Sequence, residues 1–267
     1  MTAATIKQLF IYPIKGLTPQ EMSEFALTAG HGIKGDRAFA LMFADNPELA
    51  QMPAENAPWK SKKSFAVQND WPLLAALECH YQPETTVLTV KRQGVALLSA
   101  ATNTAAGRDR ISTFFTEYLA AIEPTKEARH PQFAPLRLVG DSSGLTRYPD
   151  REPVHISLLA QATLDELTEK ANQQIDVRRF RPNIVLEGIS AWSEFDWIGK
   201  QFQLGTALIE VTARIGRCVN IEVNPETGDR DIPLLSLLKQ EFGHAQTGVL
   251  AKIINSGTVQ IGDRLNP

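Results

Sequence analysis

Three pairs of short alternating runs, each pair divided by a turn containing glycine, limit what this chain can fold into. Residues 85–90 and 95–99 flank Arg92-Gln93-Gly94. Residues 199–204 and 207–213 flank Gly205-Thr206, and residues 249–254 and 259–261 flank Ser256-Gly257. A period of two marks a half-buried strand, and glycine between two such runs marks a hairpin. Helical period is rarer. Ile111, Phe114, Phe115, Tyr118, Leu119 and Ile122 share one helix face. Thr163-Leu164-Asp165-Glu166 reads as a capping box for a helix with Leu164, Leu167 and Ala171 on its apolar face. Residues 233–242 read as a further helix, with Pro233 near the first turn, where a missing N–H is harmless. Many short strands and few helices predict an α+β, mainly β chain. Its antiparallel sheets are expected to close on themselves, because closure removes unpaired edges.

With 267 residues, 43% of them hydrophobic, the chain has room for two cores. Pro124, Pro131 and Pro135 stand among charges between the 111–122 helix face and a strand at 136–139. This places a boundary there, giving an N-terminal β-rich domain at 1–125 and a β-barrel domain at 126–267. The 27 Lys and Arg against 30 Asp and Glu leave a net charge of −3. That balance lacks the basic excess of a general nucleic-acid or anionic-membrane binder. No apolar run approaches the length of a membrane span, and the first residues hold no apolar signal core. A cytoplasmic protein with neither membrane span nor nucleic-acid partner is expected. Cys79 and Cys218, far apart, make no disulfide framework.

Residues 209–223 read as two strands joined by a bend, with Cys218 at the bend. Val219, Ile221 and Val223 would take one face, and Cys218, Asn220 and Glu222 the other. Arg217 beside the thiol and Arg214 four residues back favour a thiolate, the form that attacks electrophiles and binds metals. The competing reading is a small buried hydrophobe. An opening strand at 6–14 ends near Pro13 and delivers Lys15 and Gly16 to a loop. Gly30-His31-Gly32-Ile33-Lys34-Gly35 spells G-x-G-x-x-G, but the run that follows, 38–43, is strand-like. Without a helix N-terminus the dinucleotide reading fails. Arg37, at the entrance to that strand, either forks onto a phosphate or carboxylate or pairs with Asp36. Residues 45–64, with three prolines, read as a lid-like excursion pinned by Trp59 and Trp71. Arg178, Arg179 and Arg181 read as a solvated basic loop unless an anion faces them. Cys79, Trp192 and Trp197 read as packing residues. No zinc spacing, P-loop or G-x-S-x-G is present. What remains is a lysine and several arginines with one thiol. That set suits a pterin phosphate carrying a soft metal, the thiolate on the metal and the arginines on the phosphate.

Six segments then appear in a fixed order: Tyr12-Pro13-Ile14-Lys15-Gly16, Gly35-Asp36-Arg37, Phe180-Arg181-Pro182-Asn183, Gly216-Arg217-Cys218, Asn224-Pro225-Glu226-Thr227-Gly228 and Ser256-Gly257-Thr258-Val259-Gln260-Ile261-Gly262-Asp263. They resemble the landmarks of MOSC-domain proteins. The likeness is to the subgroup with an N-terminal MOSC β-barrel domain, which includes the mitochondrial amidoxime reducing component and its bacterial relatives. The resemblance implies a molybdenum-molybdopterin cofactor. Cys218 would be the catalytic residue and metal ligand, and Lys15, Gly16, Arg37, Arg181, Asn183, Gly216 and Arg217 would line the cofactor with it. Gly16 and Gly216 stand where the family often has serine. Glu152-Pro153-Val154 leaves only backbone N–H groups where the family often offers hydroxyls, and the arginine-bearing motif expected near the 45–64 excursion is not recognisable.

The implied chemistry is reduction of N-hydroxylated small molecules such as amidoximes, hydroxylamines and N-hydroxylated bases. No cysteine-rich ferredoxin module precedes Pro267. A separate electron-donor protein is therefore expected, of the ferredoxin, cytochrome b5 or flavin reductase type. Two other readings stay open: a sulfur carrier with a persulfide on Cys218, and a non-catalytic cofactor-binding module.

Overall fold

The computed structural model describes residues 4–45, 47–55, 57–150 and 155–266. The first strands are β1 (Ala4–Ile11), β2 (Gln20–Met22), β3 (Glu24–Thr28), β4 (Gly32–Ile33) and β5 (Phe39–Phe43), followed by the short helix α1 (Pro47–Ala50). Next come β6 (Glu78–Gln82), β7 (Val87–Arg92), β8 (Val95–Ala101), helix α2 (Ala105–Ala120) and β9 (Leu136–Gly140). The remainder holds β10 (Ile156–Ala160), α3 (Gln161–Ala171), β11 (Ile184–Glu187), β12 (Gln201–Leu204), β13 (Ala207–Gly216), α4 (Leu234–Phe242), β14 (Gln246–Asn255), β15 (Gly257–Gln260) and β16 (Arg264–Asn266). The chain is mainly β with few helices, as its periodicity predicts.

Seven strands close a barrel in the order β11-β10-β14-β13-β12-β16-β1, with β1 pairing back onto β11. Alternation builds it: Phe202 and Leu204 point inward from β12, and Ala207, Ile209 and Val211 from β13, into one core with Leu158, Leu186 and Val249. One pair corrects the antiparallel expectation. β10 and β11 run parallel, because α3 lies between them and supplies the crossover that a parallel neighbour requires. Strand pairing also runs across position 125. β1 belongs to the barrel, whereas β9 pairs with β5 in the other lobe. There β5, β9, the β6-β7-β8 sheet, α2 and Trp71 share a second core.

Several local expectations are corrected. The opening strand ends at Ile11, before Pro13. Thr163 caps nothing. The helix begins at Gln161, and the buried Thr163 hydroxyl accepts from the Trp192 N–H at 2.9 Å. The third pair of runs is not a hairpin. β14 stays in the barrel, while β15 leaves it to pair with β3. At the crossing, a Cβ on Gly257 would stand 2.4 Å from Ala207 N, so only glycine fits there. Nor is 219–222 a strand; it is a 3₁₀ turn with Ile221 buried. The Gly30–Gly35 run is a turn with β4 inside it and no helix after it. Within the 45–64 excursion, Asn46 and Asn56 lie outside the described residues. Trp59 ties it to the Pro149 carbonyl at 2.9 Å, and the buried Trp71 packs 5.4 Å from Phe43. Trp192 and Trp197 pack on Phe242 and Phe202.

Candidate functional site

Where β1 ends, the chain turns through Tyr12, Pro13 and Ile14, and the Lys15 N–H donates to the Phe39 carbonyl at 2.8 Å. Gly16 follows at φ 82°, so close to the other lobe that a Cβ would sit 2.6 Å from the Ala66 oxygen. Only glycine satisfies both conditions. The turn drives the Lys15 side chain inward, where it is 2% exposed. Its ammonium donates to the Tyr148 carbonyl at 3.0 Å and to the Asp150 carboxylate. Burial lowers the Lys15 pKa, and Asp150 opposes that shift. Partial desolvation at its Lys15 end acts to raise the pKa of the Asp150 carboxyl, although 72% of that side chain meets water. Lys15, then Arg37 and Arg181, outweigh it and hold the carboxyl at about 2.

Asp36 orders the second cation. Fully buried, it accepts from the Tyr12 N–H at 2.9 Å, from Arg37 and, at 2.5 Å, from Arg147. Arg147 also donates to the Asp36 and His31 carbonyls at 2.9 and 2.7 Å. Burial would raise the Asp36 pKa, but the two guanidiniums bring it below the ordinary carboxylate range. Arg37 therefore pairs with Asp36 and yet remains in the cluster, with its Cζ 4.7 Å from the Tyr12 ring centroid.

The three arginines before β11 go three different ways, and none makes a solvated loop. Arg178 pairs with Asp176 and Glu226. Arg179 is buried against Asp231 and the Glu222 carbonyl. Arg181, at φ 54°, turns back over Tyr12 with its Cζ 4.3 Å from the ring and donates to the Leu17 carbonyl at 2.6 Å. Burial pulls its pKa down to about 10. Asn183 does not face the cluster. Its amide oxygen accepts from Ser157 and its amide N–H donates to Phe10, knitting β1, β10 and β11 together.

Cys218 is exposed at the end of β13 and opens the 3₁₀ turn. The buried-hydrophobe reading therefore belongs to Cys79, whose thiol is pushed up to about 12 by burial. Arg217 fixes the backbone that presents Cys218. Its Nε donates to the Thr247 carbonyl at 3.0 Å, its Nη1 to the Phe180 carbonyl at 2.8 Å, and its main-chain N–H to Ala245 at 2.8 Å. Burial lowers its pKa to about 10, with Cys218 and then Tyr12 opposing. Arg214 is not a second flank, because it lies 4.4 Å over Phe195. A Cβ on Gly216 would meet nothing within 4 Å, so the strand end two residues before Cys218 faces open space. Asn220 reaches Gln68 of the other lobe at 3.3 Å.

Lys15, Arg37, Arg181 and Asp150 act on one another electrostatically, and Tyr12 links them to Arg217 and so to Cys218. Among the described residues, Arg37 and Arg147 pair with Asp36 and Lys15 pairs with Asp150, whereas Arg181 and Arg217 donate to backbone carbonyls and form no ion pair with a carboxylate. A positive cluster beside a solvent-facing thiol fits an anionic ligand that carries a thiophilic metal. Among the described residues no group of three or more His, Cys, Asp or Glu could hold a metal. Two concavities of about 290 and 660 Å³ border Arg178 and Glu226, away from Cys218. Of the arginines on their walls, Arg178 is paired with Asp176 and Glu226, and Arg179 with Asp231. The backbone contacts expected from Glu152, Pro153 and Val154 lie outside the described residues. Sequence reasoning missed Tyr12 as the platform and Arg147 and Asp150 as partners; the density of charges in 147–152 was the available signal.

Residues 3–130 match the profile of the MOSC N-terminal beta barrel domain, and residues 148–266 match that of the MOSC domain. The mouse mitochondrial amidoxime-reducing component 1 is 26% identical over 97% of this chain and 81% of its own length. The Xenopus laevis mitochondrial amidoxime-reducing component 1 is 31% identical over 43% of this chain. That match spans 36% of the frog protein, and the match to the bovine component 2 spans 28% of that protein. A crystal structure of the Bacillus subtilis YUAD protein aligns over 99% of this chain and 94% of its own, at TM-score 0.44 and 12% identity. Among the described residues no helix is long and apolar enough to cross a membrane.

Proposed function

The chain belongs to the MOSC-domain proteins that carry a MOSC N-terminal domain, and from that premise we propose that it is a molybdenum-cofactor reductase of N-hydroxylated small molecules. The observation that carries the reading is the exposed Cys218 thiol, whose neighbour Arg217 donates to the Phe180 carbonyl next to Arg181, while Arg181 and Arg37 share the Tyr12 ring near Lys15. Names of the relatives as amidoxime-reducing components supply the substrate class.

In this reading Cys218 ligates molybdenum, and Lys15, Arg37 and Arg181 receive the pterin phosphate. Gly16 makes the tight turn that carries Lys15 inward, Gly216 leaves room for the approach, and Arg217 holds the thiol-bearing backbone in place. The bound cofactor would supply a two-electron centre able to accept oxygen. The overall change is R–NH–OH plus two protons and two electrons to R–NH₂ and water. A separate donor protein delivers the electrons. We place this work in the cytoplasm, where reducing conditions keep Cys79 and Cys218 as free thiols.

Elemental analysis of protein made in cells that synthesise the cofactor tests the proposal, beside a Cys218→Ser variant. Near-stoichiometric molybdenum in the parent and little in the variant, with turnover of an amidoxime by a chemical reductant, is the expected result. Metal-free protein carrying an extra sulfur on Cys218 would overturn it in favour of sulfur transfer.

A further inference from the structure

The Lys15 ammonium already has an anion on it. Asp150 reaches it, and the same carboxylate feels Arg37 and Arg181. The backbone leading to Asp150 is fixed. The Tyr148 N–H donates to the Arg37 carbonyl at 2.9 Å, the Tyr148 hydroxyl donates to Ala57 at 3.1 Å, and the Pro149 carbonyl accepts from Trp59 at 2.9 Å. The Asp150 side chain is by contrast 72% exposed, against 3% for that of Lys15. It can rotate into water without a desolvation cost, while Lys15 cannot leave.

We propose that Asp150 occupies the anion position of the Lys15–Arg37–Arg181 cluster as an internal competitor and so selects incoming groups by charge. A monoanion gains little by replacing a carboxylate with another single charge. A phosphate dianion adds a second charge opposite three cations and displaces it. The proposal rests on reading this cluster as a phosphate site. It goes beyond that reading in giving the protein's own carboxylate a part in which anions enter.

The test is inorganic phosphate binding, measured by calorimetry at pH 8, where the dianion prevails. Full-length protein from cells unable to make the cofactor is used, with four chains: parent, Asp150→Asn, Lys15→Ala, and Asp109→Asn. The last makes the same change in net charge on the exposed face of α2. An exposed partner contributes at most about 1 kcal/mol, or about fivefold. Asp150→Asn should therefore bind phosphate about fivefold more tightly than the parent and should also bind acetate measurably. Asp109→Asn should match the parent, and Lys15→Ala should lose binding. Equal affinity in Asp150→Asn and the parent, equal tightening in Asp109→Asn, or phosphate binding in none of the chains each overturns the proposal. If Asp150→Asn tightens binding while the parent never acquires molybdenum, the charge filter stands and the cofactor reading falls.

Discussion

Arg181 lies over the ring of Tyr12, its Cζ 4.3 Å from the ring centroid. Arg37 approaches the same ring at 4.7 Å. An aromatic face attracts a guanidinium without neutralising it. Tyr12 thus holds two cations near each other: Arg37 shares Asp36 with Arg147, while Arg181 rests on the ring and the Leu17 carbonyl and, among the described residues, forms no ion pair.

Tyr12→Phe and Tyr12→Leu separate the ring from its hydroxyl. Phenylalanine keeps the platform but strands the Pro182 carbonyl, which the hydroxyl bonds at 3.1 Å. It should cost about 1–2 kcal/mol in denaturant unfolding and leave anion binding intact. Leucine should cost about 2–4 kcal/mol and also weaken phosphate binding. Full binding by Tyr12→Leu would show that the ring does not hold the arginines.

Asp36→Asn should be among the most damaging single changes, at about 3–5 kcal/mol, because Arg37 and Arg147 would keep buried charge without a counter-ion. Since the folded-state pKa of Asp36 lies below its unfolded value, its stabilisation is complete above about pH 4 and is lost as pH falls toward the folded value. Acid titration followed by circular dichroism should show a steeper loss below pH 4 in the parent than in the variant.

The two thiols should differ sharply in reactivity. A thiol-specific chromogenic reagent at pH 8 should label one cysteine per native chain, Cys218, and two after unfolding, since Cys79 is buried with its pKa raised to about 12. Cys218→Ser should shift stability by less than about 0.5 kcal/mol while abolishing the native-state reaction.

Gly16→Ala and Gly216→Ala make a matched pair. At Gly16 the added methyl meets the Ala66 carbonyl from a left-handed backbone, so a loss of about 2 kcal/mol or more is expected. At Gly216 the methyl enters open space, and thermal melting should be nearly unchanged. A reversed order would mean that the Lys15 turn is not held against the first lobe.

The strands of the barrel were legible because period two is a local property. Ala207, Ile209 and Val211 alternate with Leu208, Glu210 and Thr212, and β13 forms where they do. The Lys15-Gly16 turn was legible too, since Pro13 ends a strand for reasons contained in its own ring. Thr163 was misread for the opposite reason: the hydroxyl that could cap a helix is taken by Trp192, far along the chain.

The sequence by itself determined that alternating strands form, as at Gln201–Leu204 and Ala207–Gly216, which half-buried faces they carry, and that Cys218 follows an arginine at a strand end. Tertiary structure alone decided that β15 would pair with β3, and that β10 and β11 would lie parallel. It alone sent Arg178, Arg179 and Arg181 to different partners, and it chose Asp150 and Tyr148 as the partners of Lys15. Periodicity depends on residues a few positions apart. The partner of a buried charge depends on which distant segment arrives beside it, and Lys15 meets its acceptors more than a hundred residues downstream.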